Sequence, residues 1–323
     1  MKSILVIGGA GYIGSHVVLS FLNAGFDVTV LDNLSSGRQI NLFEKAHFIH
    51  ADIMDRMALD DVFKKPYDGV IHLAALKAAG ESMIIPEKYA YQNINGAVNL
   101  LEALSNSRTK IVIFSSTAAV YGMPQQLPLT EDHPLDPINF YGFTKLEIER
   151  LFDWFYRLKG IHFASLRYFN AAGYDPDGNI KGLERNPANL IPIVMEAAIG
   201  RRDKVEVYGN DYPTPDGTGV RDYVHVSDLA DGHLKAFQYV LRERKPLTVN
   251  LGTGKGCSVM EVIKMTEQVS GKKVPHSIVG RRPGDPADLY AHSKKANELL
   301  KWKPQFSDLK TIISSTWEVY KNR

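Results

Sequence analysis

Tyr141 and Lys145, four residues apart in the stretch Asn139-Phe-Tyr141-Gly-Phe-Thr-Lys145, are the pair in this chain best suited to chemistry. The sequel from Leu146 to Leu158 has the period of a helix, and Pro137 and Asn139 supply its start. Residues at this spacing share a helix face, so the phenol and the ammonium are set one above the other. A tyrosine with a reference pKa of ~10 is a poor base at neutral pH, and a fixed positive charge beside it favours the phenolate. Reaching pH 7 takes a shift of ~3 units, or ~4 kcal/mol, which one exposed lysine does not supply. A lysine together with a nicotinamide cation in a dry cleft does. The same spacing also describes an ordinary core-to-surface pair, so a catalytic role requires a dinucleotide site elsewhere in the chain.

The amino-terminal residues have the pattern of such a site. Ser3–Ile7 is a short apolar run bounded by glycine, which predicts a buried strand. Gly8-Gly-Ala-Gly11-Tyr-Ile-Gly14 follows, then a helical pattern through Val17, Val18, Phe21 and Leu22, with Gly25 where the helix should stop. Val28–Leu31 is the second strand and ends at Asp32. Strand, glycine turn, helix, strand and acid is the order of a dinucleotide fingerprint. Gly11 lets the backbone approach a pyrophosphate, whose charge faces the helix N-terminus. Asp32 is placed to accept hydrogen bonds from the adenosine ribose and to repel a 2′-phosphate, which favours NAD over NADP.

Further strands are expected at His47–Ala51, Val70–Leu73, Ile111–Ser115, Ala164–Arg167 and Val249–Leu251, with helical patterns between several of them. This alternation predicts an α/β fold, a doubly wound parallel sheet of Rossmann type, with a smaller carboxyl-terminal substrate-binding lobe. Ligands in such sheets gather at the carboxyl ends of the strands. Asp52-Ile53, Leu73-Ala-Ala75, Ser115-Ser-Thr117 and Arg167-Tyr-Phe-Asn170 are found there. The hydroxyls of Ser115, Ser116 and Thr117 either cap a loop or donate to a substrate oxygen beside Tyr141. Beyond about residue 170, Gly, Pro, Asn and Asp crowd 173–189 and 208–219, as in binding loops. Arg221 and the Arg281–Asp285 stretch lie near them, able to fork onto a diphosphate or to remain solvated surface charge. The expected division is 1–170 for the dinucleotide domain and 171–323 for the lobe, with residues near 220–255 returning to the sheet.

Composition narrows the partners. The chain has 323 residues, 44% hydrophobic and 23% charged, with a net charge of +2 and no run of like charges, so duplex nucleic acid and anionic membrane are not expected partners. A single cysteine, Cys257, excludes an internal disulfide and suits a reducing cytoplasm. The apolar run after Met1-Lys2 breaks at once into glycines, unlike a secretory leader, and no apolar stretch is long enough to cross a bilayer. The histidines lack metal-ligand spacing, so no metal is expected.

With the glycine turn, Asp32, Ser115–Thr117, Tyr141-x-x-x-Lys145 and Arg167–Asn170 in order, the chain resembles the extended short-chain dehydrogenase/reductase family. Leu73–Ser82, Gly200-Arg-Arg-Asp203, the stretch from Gly209 to His225, and Asn250-Leu-Gly-Thr-Gly narrow the resemblance to the UDP-glucose (UDP-galactose) 4-epimerases. The similarity runs from Ile4 to about Trp317. It implies NAD held by Gly8, Gly11, Tyr12, Ile13, Gly14, Asp32, Asn33, Asp52, Ile53, Leu73, Ala74, Ala75, Lys77, Asn93, Ser115, Tyr141, Lys145 and Tyr168. It places a UDP-sugar against Thr117, Tyr141, Asn170, Asn189, Leu190, Tyr208, Arg221, Arg282, Asp285 and Leu289. Thr117 stands where many members carry serine, and the hydroxyl is kept.

The resemblance implies 4-epimerisation of UDP-hexoses, UDP-glucose and UDP-galactose first. Oxidation at C4 to a ketone removes the stereocentre, Tyr141 takes the hydroxyl proton, Thr117 holds the same oxygen, and Lys145 supports the phenolate. Elimination of water is disfavoured, because Ala118 and Ala119 occupy the places where 4,6-dehydratases carry acids. A UDP-glucuronate epimerase or decarboxylase stays open, as does a nucleotide-binding regulator without turnover. Leu289 matches a position at which strict members carry tyrosine, so N-acetylated UDP-sugars are an additional expected substrate. Helices near 87–104 and 140–158 offer Leu146, Leu151, Trp154 and Leu158 beyond their core stripe, consistent with the homodimer that the family implies.

Overall fold

The computed structural model describes residues 1–323 except Asn186 and Pro283, which lie in two of the expected binding stretches. Seven short strands are β1 (Ser3–Ile7), β2 (Asp27–Asp32), β3 (His47–His50), β4 (Gly69–His72), β5 (Ile111–Ser115), β6 (His162–Tyr168) and β7 (Leu247–Leu251). They form one parallel sheet in the order β7-β6-β5-β4-β1-β2-β3. The chain works outward from β1 to one edge and then from β4 to the other. The reversal between β1 and β4 opens the crevice in which such sheets bind ligands.

Strand sequences are apolar on both faces because both faces are covered. Ile4 and Val6 of β1 point to one core with Ile111 and Ile113 of β5. Their neighbours Leu5, Ile7, Val112 and Phe114 point to the other. Helices α1 (Tyr12–Asn23) and, much later in the chain, α5 (Val226–Glu243) cover the first face through Val17, Phe21, Leu229 and Phe237. Helices α2 (Gly96–Asn106) and α3 (Phe140–Lys159) cover the second through Leu100, Leu104, Ile148 and Phe152.

One expected helix is not continuous. Residues 87–104 divide into an α-helical turn Pro86–Tyr89, a π-helical segment Ala90–Asn95 and then α2. The wide segment brings Asn93 to the loop after β4, where it grips both backbone groups of Leu76.

Beyond residue 170, α4 (Leu190–Ala198) packs with helices Val259–Ser270 and Leu309–Tyr320 around Val194, Met195, Ile263, Ile312 and Ile313. Three short strands, Cys257–Ser258, Val220–Arg221 and Asp288–Leu289, lie side by side in this part. The chain returns to the sheet twice. The first return is α5 and β7. The second is the helix Lys294–Leu300 with Trp302, whose ring is fully buried in the first core and whose Nε1 donates to Asp228 O at 2.8 Å. That second return has little apolar signature in the sequence, only Ala296, Leu299, Leu300 and Trp302 in a polar run. Among the described residues no helix is long and apolar enough to cross a membrane, and no cluster could hold a metal.

Candidate active site

The end of β5 and the start of α3 meet at the chemistry. Asn139 caps α3, its side chain accepting from Gly142 N at 2.8 Å. A Cβ on Gly142 would stand 2.5 Å from Ala119 O, so glycine is what seats α3 against the short turn Ala118–Val120. Tyr141 N donates to Ser82 Oγ at 3.0 Å. Lys145 Nζ donates to Ser115 O at 2.8 Å and stands 4.7 Å from the Phe114 ring centre and 5.9 Å from that of Tyr141. Thr117 takes the capping role and also stands beside Tyr141. Its Oγ1 accepts from Ala119 N at 3.2 Å, capping the turn, and its proton remains available beside the Tyr141 phenol. Ser115 Oγ shares a short hydrogen bond with Tyr168 Oη.

Burial reverses the simple expectation for the pair. Tyr141 is pushed up to about 12 by loss of solvent, with Thr117 acting in the opposite sense. Burial also lowers Lys145 to about 7, against the nearby Glu149 carboxylate. In the polypeptide alone the lysine therefore sheds its proton more readily than the tyrosine does. Proximity sets the partners, and a further positive charge in the cleft is needed to favour phenolate over phenol.

The glycine turn lies at the switch point. Gly8 has φ +87°, and a Cβ there would meet Ala74 N at 2.7 Å across the end of β4. A Cβ on Gly14 would lie 2.0 Å from Gly8 O, so α1 can start this close only with glycine. At Gly11 a Cβ would touch only Gly8 O, at 3.3 Å, leaving the outer side of the turn clear. Asp32 is buried, its oxygens accepting from Ala10 N at 3.0 Å and Leu34 N at 2.8 Å. Asn33 Nδ2 donates to Asp52 Oδ2 at 2.8 Å, and Ile53 packs on Gly96 of α2. Leu73 and Ala74 extend β4, both donating to Ile7 O. Ala75 follows them. Ile13 packs on the first core, and Tyr12 Oη donates to Gly173 O. Lys77 pairs with Glu184 across the cleft. Asn93 is occupied by Leu76 and by Thr144 Oγ1 at 3.1 Å, so it shapes the loop that borders the cleft.

The remaining expected residues gather in smaller groups. Arg221 is paired with Asp285 and donates to Val220 O at 2.7 Å. Its strand pairs in parallel with Asp288–Leu289. Leu289 packs against the cluster containing Ala118, Val120 and Leu129, next to Thr117. The Arg282 guanidinium stacks 3.8 Å from the Tyr208 ring centre. Asn170 N donates to Asp222 O at 3.0 Å, just past the end of β6. Asn189 and Leu190 open α4, and Leu190 packs into the lobe core.

A profile of the NAD dependent epimerase/dehydratase family matches residues 4–252. The chain belongs to that family. It is 44% identical to a UDP-glucose 4-epimerase of Lacticaseibacillus casei over 322 residues, covering 99% of this chain and 97% of that protein. The crystal structure of UDP-glucose 4-epimerase from Bifidobacterium longum in complex with NAD+ and UDP superposes with a TM-score of 0.94 at 37% identity, covering 100% of this chain and 99% of that one. The UDP-Glc/GlcNAc 4-epimerase of Campylobacter jejuni gives 0.88 at 37% identity, with 100% of each chain covered.

The turn fits the dinucleotide that names the family. Its glycines leave the backbone bare where a pyrophosphate needs close approach, and each Asp32 oxygen keeps a lone pair beyond its backbone bond. Three buried residues were not singled out from sequence for roles of their own. Asp222 accepts from Thr253 N and Oγ1 and from Ala291 N, and burial raises it to about 6. Glu149 and Arg167 form a buried ion pair beneath Lys145. The signal for Glu149 is its place one helical turn beyond Lys145.

Lys145 should cost stability at neutral pH. Its folded value near 7 lies below the unfolded ~10.4, so the unfolded chain binds more protons between the two. The penalty is full below pH 7 and fades as pH rises toward 10. Lys145→Met should therefore raise the unfolding stability of nucleotide-free protein at pH 7 by on the order of 1–3 kcal/mol, after loss of the Ser115 bond, and by much less at pH 9. Urea titrations at both pH values read this directly. An equal or lower midpoint for the variant at pH 7 would refute it.

Proposed function

We propose that this chain is a UDP-glucose 4-epimerase, an isomerase that inverts C4 of a UDP-hexose with a tightly held NAD. The observation that carries this reading is the Tyr141–Lys145–Thr117 group at the end of β5, with Lys145 buried and Tyr141 and Thr117 half-buried, two strands from the glycine turn of β1. The sheet domain would hold the dinucleotide through the turn, Asp32 and the ends of β4 and β5. The lobe would hold the UDP moiety through Arg221, Arg282 and Asp285. Bound to the sheet domain, NAD would supply the reversible hydride acceptor for C4 of the sugar and a positively charged ring in the cleft.

The side chains account for the rest. Thr117 donates its free proton to the sugar O4 and holds that oxygen against Tyr141. Tyr141 Oη takes the O4 proton during oxidation and gives it back during reduction. Lys145, fixed by Ser115 O, supplies one of the two positive charges that make this exchange accessible near neutrality. Burial of Lys145 strengthens its interactions with these neighbours. The half-buried thiol of Cys257, raised to about 11 by burial, is unreactive and suits a reducing cytoplasm.

Purified protein should interconvert UDP-galactose and UDP-glucose with no added reductant and should carry nucleotide through purification. Tyr141→Phe should keep fold and nucleotide yet lose about 10²–10⁴-fold in kcat. Turnover within a few-fold of wild type would sink the assignment of the base.

Leu289 supports a broader substrate range. A leucine beside the Ala118 cluster presents less bulk and no hydroxyl compared with tyrosine, so an acetamido group at C2 gains apolar contact for its methyl. UDP-N-acetylglucosamine should be epimerised measurably, and Leu289→Tyr should abolish that activity while UDP-galactose turnover persists. Equal handling of the acetylated sugar by the tyrosine variant would remove Leu289 as the gate.

A homodimer through α2 and α3 is the proposed assembly. Trp154 is 57% and Leu158 70% exposed on α3, with Phe143, Met83, Ile84, Tyr91 and Val98 also exposed on or near these helices. Leu146, first counted with this face, is instead buried against Ala118 and Leu129, and Leu151 packs partly on the sheet core. Light scattering should give a dimer at micromolar concentration, and Trp154→Glu/Leu158→Glu a monomer. A wild-type monomer would leave this face without its partner.

A further inference from the structure

Helix α3 carries a second charged residue one turn beyond Lys145. Glu149 is 7% exposed and lies beneath the catalytic group, outside reach of the reacting atoms. Its Oε1 accepts from Ser116 Oγ and, at 3.1 Å, from Arg167 Nε, while its Oε2 accepts from Arg167 Nη2 at 2.6 Å. Arg167 extends Nη1 to Tyr121 Oη at 3.1 Å, and Tyr121 donates to Asn250 Oδ1 at 2.6 Å. One carboxylate thus joins α3 to the ends of β5 and β6 and, through Tyr121, to β7.

Ser116 is the informative partner. It sits between Ser115, whose carbonyl receives Lys145, and Thr117, whose hydroxyl stands beside Tyr141. A buried ion pair seldom adds net stability over apolar side chains of the same size. Holding α3 to the sheet would not require one. Holding it in a single register does, because a directional fork tolerates less sliding than apolar contact.

We infer that Glu149 is a positioning residue of the epimerase reaction, its carboxylate fixing Ser115–Thr117 against α3 and maintaining the charge of Lys145. This rests on the epimerase reading above. Other titratable groups face the cluster from each packed element. His72 on β4 is kept neutral by burial and by Lys145. Tyr168 on β6, and Tyr89 bonded to Glu81 from the segment before α2, are phenols raised by burial. Arg167 on β6 is a cation already matched to Glu149. Of all these, Glu149 is the anion that acts on Lys145.

Three variants separate register from charge. Ser116→Ala removes the tie and leaves every charge in place, so kcat for UDP-galactose should fall about tenfold while KM stays within about twofold. Glu149→Gln keeps the shape and removes the anion. Lys145 should then lose its proton at lower pH, followed by ¹³C NMR of its Cε, and the alkaline limb of kcat should move the same way. Glu149→Gln/Arg167→Met avoids a lone buried cation and should show a smaller movement in the same direction even where the single variant does not fold. Wild-type kcat in Ser116→Ala overturns the inference, as does an unmoved Lys145 titration in whichever glutamine variant folds. The NMR titration reads the site without turnover. Absence of epimerisation by wild-type protein would therefore fail the epimerase reading alone.

Discussion

A single ammonium group taken out of water governs the architecture around it. Lys145 is 2% exposed, and its burial is disfavoured by the loss of hydration that lowers its pKa to about 7. Three features offset that loss: the Ser115 carbonyl, the face of Phe114 and the field of Glu149. All three come from β5 or α3, so these two elements must be held together closely. The Asn139 cap, the bare backbone at Gly142 and the Ser116–Glu149–Arg167 fork each contribute to that closeness.

The two ends of the ligand cleft are built on different principles. At the dinucleotide end the backbone is the surface, cleared by glycines and pinned by Asp32 and Asn93. At the end proposed for the nucleotide-sugar the surface is side chain. Arg221 is already matched to Asp285 and Arg282 already lies on Tyr208, so their geometry is largely set before any anion arrives. Between them Asp222 links the lobe strand to the loop after β7 through Thr253 and to Ala291 beyond Leu289.

Much of this was legible because it is local. The glycine turn, the alternation of β1 and β5, and the Tyr141–Lys145 spacing are set by residues within one or two elements, and the structure has them where the period predicts. Three things were not legible. The direction of the Tyr141 shift depends on burial, a tertiary property that one-turn spacing cannot report. The grip of Asn93 on both backbone groups of Leu76 depends on a π-helical segment that the sequence period does not announce. The Glu149–Arg167 pair joins residues 18 apart in different elements, and a charged residue on a long helix gives no sign of which way it faces.

The late return of Trp302 to the first core bears on how the protein is made. At ~5–20 residues per second, roughly 15–60 s separate synthesis of the glycine turn from synthesis of that tryptophan. For most of this interval, until α5 and β7 are made, β6 is an open sheet edge and the helical face that α5 completes is bare. A nascent chain in that state presents unpaired strand edge and apolar surface together, which is the combination that molecular chaperones recognise and that invites aggregation. The nucleotide fold at the amino terminus is thus finished only when the carboxyl-terminal lobe has almost left the ribosome.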